Sequence, residues 1–353
     1  MSLPLSTRPH RFGPNKVPVY YTGGEGIDRF RGEAGTDGPE DWVGSVTPFP
    51  RAFLPPGADP LAGISRFPDG TPLDAVVRAD PSGWLGPLLH ARLGTEPGLL
   101  VKLLDAGERL PVHCHPGRSF ARRHLASRFG KTEGWIVIAA EAGARIWLGF
   151  ARQVEASELR SWVESQDAAA MLAAMIEITV ARSDVFYVPA GVPHAIGAGV
   201  TIVELQEPTS FSILAEYQSF GVDADAATLG LGWDAALSCF DLRPYTGALA
   251  ARLRPQEHVV VDLPGGTLSR LYAAAAAPYF QAYRLRGRGG EVALGGPGFR
   301  VLVVEGGRGE LRFDGGTEPI LAGQTWVVPH NAGSLTVEGT VEAIVCCPPV
   351  VEP

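Results

Sequence analysis

The feature that most constrains this chain is a pair of histidines one residue apart, His113-Cys114-His115, answered downstream by Pro189-Ala190-Gly191-Val192-Pro193-His194. In an extended strand alternate side chains share a face. His113 and His115 therefore point one way and Cys114 the other. The proline-bounded turn ahead of His194 presents a third imidazole, and Glu133 in Gly130-Lys131-Thr132-Glu133 supplies a carboxylate. Three imidazoles and a carboxylate that converge make a site for one divalent metal ion, with positions left for water or substrate. The other histidines, His10, His90, His124, His258 and His330, read as satisfied core or surface residues.

Gly107, six residues ahead of the His-x-His, together with the Pro-x-Gly-x-x-His segment resembles the two-part signature of the cupin barrel. In a generic cupin the glutamate follows the histidines within a few residues, whereas Glu133 lies eighteen past His115. With that displacement, several segments resemble the type I mannose-6-phosphate isomerases, most closely their shorter bacterial form. They are Leu103-Leu104-Asp105-Ala106, His115-Pro116, Gly130-Lys131-Thr132-Glu133-Gly134-Trp135, Leu148-Gly149-Phe150 and the run from Val188 to Gly197. The resemblance spans roughly residues 20 to 350. It implies metal ligands at His113, His115, Glu133 and His194, His113 standing where that family has a glutamine. It also implies zinc as the ion, with mannose 6-phosphate and fructose 6-phosphate as substrates interconverted through an enediol. Lys131 and Glu204 are the two candidates for moving the proton, and the sequence does not choose between them. One departure bears on the substrate. The family carries an arginine about ten residues after the glutamate matching Glu204, and this chain reads Thr209-Ser210-Phe211-Ser212-Ile213-Leu214 there. That leaves two alternatives: an isomerase or epimerase of a different sugar, phosphorylated or not, and a non-catalytic, metal-stabilised sugar-binding cupin.

Composition narrows the class. With 353 residues, 45% of them hydrophobic, the chain can bury two compact cores. Its 44 glycines and 30 prolines suit many short strands joined by tight turns. A net charge of −8 argues against a nucleic-acid or membrane surface. Four cysteines, two of them adjacent at 346 and 347, do not form a disulfide framework. There is no basic-apolar leader, and no apolar run approaches the about 18 residues that cross a bilayer. The expectation is a cytoplasmic enzyme acting on a small sugar, with a homodimer as a further expectation.

Period and punctuation give an all-β bicupin with a small helical insert. Residues 1–95 read as an N-terminal arm, lightly ordered to about residue 20, and strands packing on the first barrel. Residues 96–220 form the metal-binding cupin, with helices at 155–178 capped at Ser157. Residues 221–256 connect to a C-terminal cupin at 257–353, where Pro329-His330 follows a strand but no His-x-His precedes it. Leu99–Leu104 reads as a buried strand interrupted only by Lys102, and residues 72–89 as a short helix broken at Pro81. Lys131, two residues from Glu133, falls on the ligand face of a strand. The arginines at 118, 122, 123 and 128 form either a solvated helix face or an electropositive rim for a phosphate.

Overall fold

The computed structural model describes residues 3–33, 38–51, 54 and 57–351. Its frame is three antiparallel sheets. A six-stranded sheet runs in the order Lys16–Val17, Glu40–Val43, Leu100–Ala106, Val200–Gln206, Glu133–Ala140 and Val185–Val188. A five-stranded sheet runs Ile213–Leu214, His113–Cys114, His194–Ile196, Arg145–Phe150 and Met175–Thr179. The C-terminal sheet has nine strands, built around the long pair Arg300–Phe313 and Leu335–Cys347.

The continuous apolar run at 99–104 is explained by what lies on each side of it. Every residue of Leu100–Ala106 and of Val200–Gln206 is buried, because both faces of the six-stranded sheet are covered. One face carries Val101, Leu103, Ile136, Val203 and Leu205 and packs on Phe280, Val301, Val303 and Ile344 of the C-terminal half. The other carries Leu104, Trp135, Val137 and Ile202 and packs on Ile146, Leu148 and Ile196 of the five-stranded sheet. The period of two sorts the side chains between these cores.

The expected helix at 72–89 is a helical run in three pieces, Leu73–Ala79, Pro81–Leu85 and Pro87–Leu93, each proline falling at the start of a piece, where its missing N–H costs nothing. Helices Ala156–Ser165 and Ala168–Ala173 stand between strands Arg145–Phe150 and Met175–Thr179. Their cap differs from expectation. Ser157 lies inside the first helix, and Glu155 precedes it without a side-chain bond. It is Asp167 that caps, accepting from the Ala170 N–H ahead of the second helix. The N-terminal arm is also corrected. His10–Phe12 pairs with Thr325–Val328 at the edge of the C-terminal sheet, and Lys16–Val17 pairs with Glu40–Val43. Phe12 inserts into the core between the halves beside Phe67, which pays the ordering cost that a polar composition hides. No helix among the described residues is long and apolar enough to cross a membrane.

Candidate metal centre

The site forms between the six- and five-stranded sheets. His113 and His194 are direct cross-strand partners on the five-stranded sheet, and His115 follows where the chain leaves it. The three rings lie 4.1 Å (His113–His194), 4.7 Å (His115–His194) and 4.9 Å (His113–His115) apart between centroids. Cys114, pointing the opposite way, is fully buried among Val112, Phe150 and Leu159. From the facing sheet Trp135 reaches His194, and Glu133 places one carboxylate oxygen 3.1 Å from His115 Nε2 and the other 3.8 Å from His194 Nε2.

Each imidazole is fixed through its Nδ1. His113 donates to the Pro111 carbonyl (2.8 Å), His115 to Phe211 (2.9 Å) and His194 to Val192 (2.9 Å). A carbonyl only accepts, so Nδ1 must carry the proton in all three, and every Nε2 lone pair is left to the centre. Burial holds all three imidazoles below their ordinary range, His115 and His194 down to about 3, so they are neutral near pH 7. Burial would raise the Glu133 carboxyl, but His115 and Lys131 beside it bring it well below the usual carboxylate range. His194 Nε2 is a buried polar atom with no hydrogen-bond partner. Neutral imidazoles with inward lone pairs, a carboxylate and an orphaned imidazole nitrogen fit a divalent cation.

Lys131 lies just ahead of the strand that begins at Glu133. Its Nζ stands 2.9 Å from Glu133 Oε1 and 3.2 Å from His115 Nε2. Its loop is clamped by the fully buried Glu207, which accepts from the Gly130 N–H (3.3 Å), the Thr132 N–H (3.1 Å) and Arg118 Nε (2.5 Å). That accounts for Arg118, which also stacks on Tyr279, 4.6 Å from its ring centre. Arg128 donates to the Leu93 carbonyl, and Arg122 and Arg123 are exposed. None of the four lines the cavity beside the metal centre, so they form no rim around it. The short helix that carries the first three, Arg118–His124, faces outward, and its one inward guanidinium is spent on Glu207.

Sequence reading names Lys102 and Glu204 separately but not the buried charge cluster they form with Glu40. Trp42, Lys102, Glu204 and Trp135 are successive cross-strand partners over four strands, one row on one face. Lys102 Nζ lies 3.2 Å from Glu40 Oε2 and 3.3 Å from Glu204 Oε1, all three groups buried. Glu40 also accepts from Tyr21 Oη (2.6 Å) and Trp42 Nε1 (2.7 Å). Burial would raise Glu40, but Lys102 and those two bonds bring it below its ordinary value. Burial and the Glu133 charge push Glu204 up to about 8 against the pull of Lys102, so the ionic partner of Lys102 is Glu40. The signal was present at Lys102: a lysine amid an apolar run is a buried charge, which requires a partner.

Lys102 and Lys131 both line a cavity of about 260 Å³, with Tyr20, Tyr21, Glu40, Trp42, Ser210 and Ser212 in its wall. Glu204 does not line it, and no arginine does among the described residues.

No protein-family model matches the chain. A mannose-6-phosphate isomerase of Streptococcus mutans is 41% identical over 109 residues, 31% of this chain and only 33% of that protein. Mannose-6-phosphate isomerase ManA of Bacillus subtilis is 27% identical over 252 residues, 70% of this chain and 74% of that one. Among solved structures, the mannose 6-phosphate isomerase from Bacillus subtilis superimposes with a TM-score of 0.75 at 21% identity, over 96% of this chain and 99% of that chain. A mannose 6-phosphate isomerase bound with zinc and yttrium gives 0.69 at 14% identity, over 96% and 99%. Sequence similarity over most of the chain and a shared fold over nearly all of it point the same way: the chain is similar to mannose-6-phosphate isomerases and has their fold.

Proposed function

We propose that this protein is a metal-dependent aldose–ketose isomerase interconverting mannose 6-phosphate and fructose 6-phosphate. The observation that carries the reading is the set of three Nδ1-anchored imidazoles and Glu133 converging beside a cavity walled by two lysines. His113, His115, Glu133 and His194 hold the ion, which we take to be one zinc, as in the relative whose structure contains it. When bound, the ion polarises the substrate's carbonyl and neighbouring hydroxyl and favours the enediolate. Lys131, whose ammonium faces the cavity, stabilises the developing oxyanion by charge. Movement of the proton between C1 and C2 falls to the Glu204–Lys102 pair. A proton acceptor exists when Glu204, raised to about 8, is in its ionised form: Lys102 Nζ, which lines the cavity 3.3 Å away, passes a proton to Glu204 as it takes the substrate's, and the reverse transfers return it to the neighbouring carbon. The facing five- and six-stranded sheets form one cupin barrel from 96–220, to which the strands Lys16–Val17 and Glu40–Val43 are added. The C-terminal sheet forms a second, without metal ligands, from 257–353 with His10–Phe12 added at its edge. The remaining expectations, a cytoplasmic location and a homodimer, accompany this reading.

A second reading is favoured by the cavity wall. Ile213 and Leu214 occupy the stretch where the family's arginine is expected, and no arginine lines the cavity among the described residues. An isomerase or epimerase of a sugar lacking a phosphate fits such a wall. The test is a coupled isomerase assay on mannose 6-phosphate, fructose 6-phosphate and unphosphorylated mannose, with metal analysis of the same preparation and of His194→Ala. The first reading expects turnover of the phosphates with about one zinc per chain, and loss of both in the variant. Turnover confined to mannose selects the second. A metal-loaded protein inactive on all three supports the non-catalytic, sugar-binding alternative.

A further inference from the structure

A second cavity, of about 710 Å³, opens between the short helices Pro81–Leu85 and Pro87–Leu93 and the C-terminal sheet. It shares no residue with the metal centre. Its size falls in the range of small-ligand sites, and its body is aliphatic and aromatic, with Leu89, Leu294, Phe299 and Val345 in the wall. Leu88 and Val260 line it as well and are 52% and 45% exposed, which marks its open side.

The charges in this cavity are one-sided. In a chain with 38 acidic and 30 basic residues, Arg270 and Arg300 line it, and no aspartate or glutamate does among the described residues. Arg300 is only 9% exposed. Its guanidinium donates to two neutral acceptors, the carbonyls of Gly298 (Nη1, 3.2 Å) and Gly296 (Nη2, 2.6 Å). The titratable groups facing it are Tyr283, His330 and Cys347, none of which offers a carboxylate. A buried guanidinium usually meets an anion, and its fork suits a carboxylate.

We propose that this cavity is a second ligand site, for a small carboxylate bearing an apolar chain or ring, with the carboxylate on Arg300 and the apolar body against Leu294, Phe299 and Val345. The aliphatic wall disfavours a polyol, since it leaves sugar hydroxyls without partners. Neutral apolar ligands would gain the wall but not the charge.

The test is isothermal titration of the full-length, metal-loaded protein with decanoate, and with decanamide as the neutral control, below micelle-forming concentrations. Decanoate is expected to bind at least about tenfold more tightly than decanamide, the worth of one charge-assisted contact. Arg300→Met should abolish that preference. Should it fail to fold, Leu88→Glu, at an exposed position, sets a repelling carboxylate at the rim and should weaken decanoate at least about tenfold by the same scale while sparing decanamide. Equal affinity for the two probes, no decanoate binding at millimolar concentration, or decanoate affinity unchanged in the folded variants would overturn the proposal.

Discussion

Replacing Lys102 by methionine keeps the length of the side chain and removes its charge. The ammonium stands 3.2 Å from Glu40, which is ionised and buried in the wall between two sheets. Removing one member of a buried pair costs about 3–5 kcal/mol, because the other charge is left without compensation. Glu204 adds little to this near neutral pH, since with its value near 8 it is largely protonated. The bonds from Tyr21 and Trp42 still hold the Glu40 carboxylate, so the lower end, about 3 kcal/mol, is expected. The pH signature follows from sign. Glu40 is below its ordinary value in the folded state, so its contribution to stability is present above the ordinary carboxylate range and lost as pH falls below that range through the lower folded value. Urea unfolding of the chelator-treated protein should therefore show a wide gap between wild type and Lys102→Met at pH 7.5, and a narrower one near pH 3. Adding Glu40→Gln to Lys102→Met should restore more than half of the loss at pH 7.5. An equal gap at both pH values, or a double variant that loses the sum of the two singles, would refute the assignment of Glu40 as partner.

Lys131→Ala should lower kcat/KM by about 10²-fold, the scale of losing one electrostatic stabiliser, while metal content stays nearly unchanged; near-normal kinetics on the true substrate would return Lys131 to a structural role. Cys114→Ser should retain the full metal load, because the sulfur is packed among Val112, Phe150 and Leu159, and should cost about 1–3 kcal/mol for a hydroxyl buried there. Metal loss in that variant would mean that residue 114 faces the centre. Burial raises the Glu305 carboxyl above its ordinary value, with Arg284 3.9 Å away opposing it. Its contribution is therefore complete below the ordinary carboxylate range and lost as pH rises through the folded value. Tm measured from pH 5 to pH 8 should decline less in Glu305→Gln than in wild type, and parallel declines would count against this.

The sequence alone determined the local chemistry. A two-residue spacing in a strand fixes which side chains share a face, so His113, His115 and the opposite orientation of Cys114 were legible, and a proline-bounded turn marked His194. The helical pieces around Pro81 and between the strands were legible for the same reason: period and punctuation are properties of neighbouring residues. What sequence could not supply was partnership between distant strands. Lys102 stood in plain view within an apolar run, but Glu40 and Glu204 became its partners only when three strands were set side by side in one register. The arginines after His115 looked like an anion site because charge is visible in a sequence and direction is not. Only the packed structure gave Arg118 to Glu207 and turned Arg122 and Arg123 outward. Residues 10–12 read as a loose arm because three residues carry no period, and an edge strand takes its order from the sheet it joins. Spacing acts along the chain and is written there; register, burial and the pairing of charges act across it, and exist only once the sheets have closed.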